Sequence, residues 1–512
     1  MRKYLRQFFS FCILSPVMLS HLFCSLIIFF TPTDVKANFD FNANCQKAYS
    51  EIFQLRFNTA TALISIEEKN NPSNKIPAYL RHYMLFYKSF ISEEQSDFIA
   101  LKKSHQKMLA NLQNEDENSP YYLYCKAETE ITLSFLKIKN KEYVSGAVAL
   151  RRGYKMLEEN KRKFPAFKPN LKALGVIHAF IGAVPENYSW LLKIAGMYGT
   201  INQGINELGD LFYSSSINSS PYKFLNTEAQ FVFIFSKQYL QKNEAELAAI
   251  YEKVNPADGP LQLFAKMNYH YYRNNGDKVM SILAERKKLK YDYPLHYLDY
   301  MEGLARLNKL DTTSSVYFYK YINNFKGTGF IKSAYQKIAW MDLMEGNRKK
   351  YEETILKALT SGSDFTDEDK QAQKEAESKA IPNVYLLRAR VLFDGGYFNE
   401  ALHQLSDKPH GTFSTIKESL ELNYRLARIY DKTHNNKQAI NFYEATIKSG
   451  EKTTYYFAAN AALQAGIMCE NAKDSANAIL YYRRALAMRN HEYQNSIDQK
   501  AKAGLNRLGK SN

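Results

Sequence analysis

Residues 423–486 contain one helical hairpin written twice. No other feature constrains the fold of this 512-residue chain as strongly. The first copy has Leu426, Ala427 and Tyr430, then Ala439, Ile440, Tyr443, Thr446 and Ile447. The second has Ala465, Gly466 and Cys469, then Ala478, Ile479, Tyr482, Ala485 and Leu486. Ala427 to Gly466 and Ala439 to Ala478 are both 39 residues. A small residue lets two antiparallel helices cross closely, a second stands one turn into the next helix, and an aromatic four residues later fills the gap. Such units bury a core only by stacking on their neighbours, so a long chain adds repeats instead of enlarging one globule.

The same spacing extends upstream. Ala389, Leu392, Ala401, Leu402 and Leu405 fit it, and so do Ala339, Gly346, Tyr351, Ile355, Ala358 and Leu359. Gly303, Ser315, Val316, Tyr319 and Ile322 fit less closely. The steps between first-helix small residues are 36, 50, 38 and 39. The pattern resembles the tetratricopeptide repeat (TPR). That resemblance implies an all-α, right-handed solenoid of antiparallel helix pairs that acts by binding. The 50-residue step holds an acidic segment, 361–380, with Asp364, Asp367, Glu368, Asp369, Glu375 and Glu377. It reads as a solvated surface helix, capped by Thr366 and Asp369. Its spacing is wrong for an EF-hand loop, which excludes that calcium site.

The N-terminus reads as a targeting segment. Arg2, Lys3 and Arg6 precede a stretch, 8–30, without Asp, Glu, Lys or Arg, and Val35, Lys36 and Ala37 form a cleavage site. Export is expected, to the periplasm or cell envelope, with an uncleaved anchor as the alternative. Cys45, Cys125 and Cys469 remain after cleavage. Three sparse cysteines make no disulfide framework and no zinc pair; Cys469 reads as a small buried hydrophobe, and a Cys45–Cys125 bond stays open. The net charge of +16 is scattered among glutamates without a basic block, which gives no support for nucleic acid as the partner.

The N-terminal half is less regular. Residues 43–68, 76–91, 98–112, 121–137 and 143–159 have helical spacing but match the repeat poorly. Residues 171–212 combine an uncharged stretch, broken at Pro185, with glycines at 196, 199, 204 and 209. The glycines predict close helix approach or turns. Gly175, Pro185, Leu191, Leu192, Gly196, Gly199, Gly204 and Leu208 resemble a signature of a eukaryotic TPR family linked to lipid droplets and inclusion-body clearance. The chain departs from it at Met197, Tyr198 and Thr200. As a whole, with Tyr455, Tyr456, Phe457, Ala458, Ala459 and Asn460 and with His491, Glu492, Tyr493, Gln494 and Asn495, it resembles secreted TPR proteins of Bacteroidota. That resemblance implies an envelope protein with no assigned chemistry.

No catalytic motif, metal-ligand spacing or phosphate loop occurs, so no enzyme, metal or cofactor is expected. His178 reads as a hydrogen-bonded core residue. The expected organisation is a signal peptide (1–37), an irregular helical region (38–215), divergent repeats (216–360), the acidic insert (361–380), C-terminal repeats (381–490), and a capping helix and tail (491–512). The first helix of each pair lines the concave face, where Arg390, Phe393, Tyr424, Arg428 and Asp431 are the candidate peptide-binding residues. Arg390 and Arg428 are equivalent in adjacent repeats, and two guanidiniums there would suit a carboxylate. The expected partner is a protein or peptide held by a non-catalytic scaffold. The alternative is lipid handling or membrane contact through 171–212.

Overall fold

The computed structural model describes residues 39–113, 116–184, 196–241, 244–409 and 411–510. The targeting segment, its cleavage after Ala37, the break at Pro185, and Leu191 and Leu192 lie outside the described residues. The described residues contain helices and connecting turns, with no β-strand. They divide into two compact units, 39–265 with 288–294, and 266–287 with 295–510.

Unit 1 holds α1 (Ala43–Phe53), α2 (Phe57–Asn70), α3 (Ile76–Ser92), α4 (Gln95–Asn111), α5 (Pro120–Lys139), α6 (Tyr143–Lys163), α7 (Asn170–Gly182), α8 (Ile201–Ser216), α9 (Asn226–Leu240) and α10 (Glu244–Glu252). Next come α11 (Pro260–Tyr271), which ends in unit 2, and α12 (Gly276–Glu285). Unit 2 continues with α13 (Tyr297–Leu307), α14 (Ser314–Asn324), α15 (Ile331–Met344), α16 (Arg348–Thr360), α17 (Asp367–Ser378), α18 (Val384–Gly395), α19 (Phe398–Leu405), α20 (Ile416–Lys432), α21 (Asn436–Gly450), α22 (Phe457–Asn471), α23 (Ser475–Ala487) and α24 (Gln494–Arg507).

The helix pairs share one turn. Between paired helices, eight times among the described residues, an N–H just past a left-handed residue donates to the carbonyl five residues earlier, at 2.8–3.1 Å: Arg56 to Glu51, Glu142 to Lys137, Asn275 to His270, Asp311 to Arg306, Asn347 to Asp342, Tyr397 to Leu392, Asn435 to Tyr430 and Asp474 to Cys469. This bond satisfies a helix-terminal carbonyl and reverses the chain. The left-handed residues are Leu55, Lys141, Asn274, Leu310, Gly346, Gly396, His434 and Lys473. Seven residues before each, except Asn274, stands a buried small residue: Ala48, Ser134, Gly303, Ala339, Ala389, Ala427 or Gly466. The α1–α2 and α5–α6 pairs of unit 1 therefore carry the same turn as the clear C-terminal repeats. Ala60 and Gly146 also stand twelve residues after Ala48 and Ser134, as Ala439 does after Ala427.

Packing follows this register. Ala427, Ala439, Ala478 and Tyr482 are fully buried in one cluster, and a Cβ at Gly466 would lie 2.7 Å from the Tyr482 ring. One expected position is off by a residue. Val316 and Tyr319 are exposed, while Ser314, Phe318 and Tyr321 face inward on α14. Asp311 accounts for the shift. Its carboxylate accepts from Thr313 N at 2.9 Å and its carbonyl from Ser314 N at 3.0 Å, so α14 enters one residue earlier in the register.

The acidic segment is not a solvated helix. Asp369, Ala372 and Ala376 of α17 are buried. Asp369 accepts from Phe330 N (2.7 Å), Ser333 N (3.0 Å) and Thr366 Oγ1 (2.7 Å), capping the start of α15. Glu375 accepts from Trp340 Nε1 and Gln336 Nε2, both at 2.7 Å, and from Tyr351 Oη at 3.1 Å. Carboxylates tolerate burial when donors converge on them, and composition does not reveal that convergence. Cys45, Cys125 and Cys469 are free and buried.

The register makes a contrast testable. Ala478→Leu is expected to cost about 1–3 kcal/mol by overpacking a filled crossing, and Lys437→Leu, at an exposed site, less than about 0.5 kcal/mol. Hydrogen exchange on the Ala478 variant should loosen residues 423–508 most and fade toward α13. Equal loosening throughout unit 2 would mean that it behaves as one globule.

Candidate functional site

In unit 2, residues of α11, α13, α15, α17 and α18 line a partly open cavity of about 140 Å³. Two turns far apart in sequence meet at Asp394, one of its lining residues. Asn274 Nδ2 donates to the Asp394 carbonyl at 3.0 Å, Tyr397 Oη donates to Asp277 at 3.0 Å, and Lys309 pairs with Asp277 at 2.8 Å. A Cβ at Gly276 would lie 2.7 Å from the Gly395 carbonyl, so these backbones touch where only glycine fits.

Aromatic rings form much of the wall. Tyr297 and Phe330 lie 4.8 Å apart, Tyr300 and Phe330 5.1 Å, and Tyr297 and Tyr300 5.5 Å; Tyr271, Tyr272 and Trp340 complete the aromatic part of the lining. Two cations share Trp340: Lys337 Nζ is 3.7 Å from the ring centroid and the Arg390 guanidinium 4.8 Å. Trp340 is held by its bond to Glu375. Lys337 donates to Gln336 Oε1 at 2.7 Å. Burial first, and then repulsion from Arg390, push its ammonium down to about 7, against the pull of Glu375, Asp394 and Glu368. Glu368 and Asp394 also line the cavity and are exposed.

The structure engages the five sequence-derived residues differently. Arg390 lines the cavity, and among the described residues its guanidinium has no ion pair or hydrogen bond, only the Trp340 face. Arg428 lies over the Phe393 ring at 5.1 Å and donates to Tyr424 Oη at 3.1 Å. Tyr424 is buried and also accepts from Asn460 at 2.8 Å. Asp431 accepts from Tyr443 Oη at 3.0 Å. Phe393, Tyr424, Arg428 and Asp431 thus join a packed ladder, and only Arg390 reaches the cavity.

Lys337 was missed by sequence reasoning, although a signal existed. Trp340, Arg390 and Arg428 each follow the crossing alanine by one residue, and Lys337 precedes Ala339 by two, on the same helix face.

In unit 1, His178 is buried and bonded to Glu207 Oε2 (2.5 Å) and Gln203 Nε2 (3.0 Å), as expected of a core histidine. Phe180, Tyr198, Tyr213 and Ile217 are exposed. No described helix is long and apolar enough to cross a membrane. No group of three metal-binding side chains occurs among the described residues.

No protein-family model matches the chain, and no curated protein matches it. Among solved structures, the TPR domain of P58(IPK) is 11% identical, covering 84% of this chain and 99% of its own, with a TM-score of 0.23. The APC/C hetero-tetramer Cut9–Hcn1 is 14% identical, covering 90% and 95%, with a TM-score of 0.23. Likenesses this distant carry no functional argument. The chain's own turns and crossings define it as an all-α protein of TPR-like helix pairs.

Proposed function

We propose that the chain is a non-catalytic interaction scaffold, and that unit 2 holds a peptide or protein segment by a carboxylate at Arg390. One observation carries this reading: a half-buried guanidinium lining a cavity and stacked on Trp340, with no acceptor among the described residues. Arginine in such a place is a ready carboxylate site. The two-arginine grip gives way to Arg390 with Lys337, because Arg428 is taken up by Phe393 and Tyr424.

Peptides with free C-termini, selected from a random library on the purified chain, should bind Arg390→Gln at least tenfold more weakly. A charge-assisted bond worth about 1.5–3 kcal/mol sets that scale. Equal binding by the variant would place the peptide site elsewhere.

The basic start and uncharged stretch of 1–37 support export to the cell envelope. Mass spectrometry should find Asn38 at the mature N-terminus, and an intact Met1 in the membrane fraction would overturn cleavage. Exposed Phe180, Tyr198, Tyr213 and Ile217 support the second reading, membrane contact by unit 1. Co-sedimentation with anionic vesicles decides it.

A further inference from the structure

The cavity limits the ligand more narrowly than a groove would. The turns at 274–277 and 394–397 meet. The space of about 140 Å³, partly open to solvent, is close in size to the roughly 150 Å³ that admits a benzene-sized guest in an engineered protein cavity. Tyr271, Tyr297, Phe330 and Trp340 offer ring faces and edges, which favour an aromatic guest.

The polar groups give the guest a charge. Glu375, a half-buried carboxylate, is already committed to Trp340, Gln336 and Tyr351. Among the described residues Arg390 has no acceptor, and Lys337 has one amide oxygen for three donors. Glu368 and Asp394 are exposed and make no ion pair with Arg390 or Lys337 among the described residues.

We infer that the cavity binds one aromatic ring bearing a carboxylate, with the ring among Tyr271, Tyr297, Phe330 and Trp340 and the carboxylate between Arg390 and Lys337. The inference rests on the reading of Arg390 as a carboxylate site and adds the ring, the cavity's volume and Lys337. The same chemistry is offered by a free aromatic acid and by the aromatic last residue of a peptide.

An anion at this position draws a proton onto Lys337. The titratable and charged groups around that ammonium are Tyr271, Tyr272, Tyr297, Tyr300, Tyr351, Glu368, Glu375, Arg390 and Asp394. Burial and Arg390 disfavour its charge, and a bound carboxylate offsets both. Affinity should therefore fall as pH rises from 6 to 9.

The chain has two tryptophans, so Trp190→Phe leaves Trp340 as the fluorescent reporter in the wall. The probes are phenylacetate, N-acetylphenylalanine, N-acetylphenylalaninamide and acetate. Phenylacetate, N-acetylphenylalanine or both should change Trp340 emission saturably, with the amide and acetate at least tenfold weaker. Arg390→Gln should weaken the acids at least tenfold. Lys337→Met should weaken them and flatten the pH dependence. Binding of phenylacetate alone identifies a free acid, and binding of N-acetylphenylalanine identifies a chain end; either supports the inference. An amide that binds as well as the acid overturns it. So does failure of both acids at millimolar concentration while Arg390-dependent library peptides still bind, and that result leaves the peptide reading standing. The acid–amide comparison needs no variant, so it holds even if a substitution disturbs folding.

Discussion

Lys172→Met is expected to cost unit 1 about 3–5 kcal/mol at neutral pH, the scale for removing one partner from a buried ion pair. Lys172 on α7 is buried with Glu128 of α5 at 2.9 Å and Glu228 of α9 at 3.6 Å. Its ammonium also donates to Tyr83 Oη at 2.8 Å and Tyr49 Oη at 3.2 Å. Tyr49 and Tyr83 donate to Glu228, and Tyr87 does so at 2.9 Å. Five helices, α1, α3, α5, α7 and α9, thus meet on one cation and two carboxylates. Methionine would leave those carboxylates facing each other without a counter-charge. The urea midpoint should fall sharply, and adding Glu128→Gln and Glu228→Gln should recover much of the loss. A midpoint unchanged by Lys172→Met would show that packing alone holds this centre.

The same cluster sets an alkaline limit. Burial would lower the Lys172 pKa, but Glu128 and Glu228 more than reverse this, so it is raised. A raised lysine stabilises fully below its unfolded value of about 10.4, and the benefit is lost as pH climbs through the folded value. Burial also holds the Tyr79, Tyr83 and Tyr124 phenols well above 10. Above pH about 10 the unfolded chain ionises its tyrosines while the native state retains the protons. Both effects have one sign. Circular dichroism against pH should show unit 1 losing stability above that point.

None of this centre is legible in the sequence, because Glu128, Lys172 and Glu228 belong to different helices with no shared spacing. What could be read was local. The offset from Ala427 to Ala439 and from Gly466 to Ala478 is a property of one turn and one crossing, and both appear as expected. The same offset joins Ala48 to Ala60 and Ser134 to Gly146, but different flanking residues hid it. The acidic segment misled because six carboxylates suggest solvent, whereas Asp369 and Glu375 meet donors from α15 and α16. At the cavity, Arg390 could be found from its repeat position. Its separation from Arg428 depends on Phe393 and Tyr424 packing, and its pairing with Lys337 depends on Trp340.

Gly204→Ala is expected to destabilise unit 1 by about 3 kcal/mol or more, beyond ordinary overpacking. Helix propensity alone favours the substitution by about 1 kcal/mol, so a loss requires steric conflict. Gly204 lies within α8 where that helix crosses α7. A Cβ there would stand 2.3 Å from the Gly175 carbonyl oxygen, 2.4 Å from Ala179 N and 2.6 Å from Ala179 Cβ. The first two are backbone atoms and cannot swing aside, so the helices must separate. Separation uncovers Leu174, Ile205 and Leu208, all buried in unit 1. Gly209 on the same helix is the control. Its added Cβ would meet the Phe233 ring at 3.3 Å and Tyr213 Cε2 at an ordinary 3.8 Å, and a ring can shift by a few tenths of an ångström. Gly209→Ala should therefore stay within about 1 kcal/mol, because helix propensity offsets a mild contact. Urea midpoints of the two variants separate the explanations. A large loss confined to Gly204→Ala makes the glycines of 171–212 a device for helix crossing. Equal, small effects would mean that α7 and α8 do not touch there, and would leave these glycines to be explained by membrane contact.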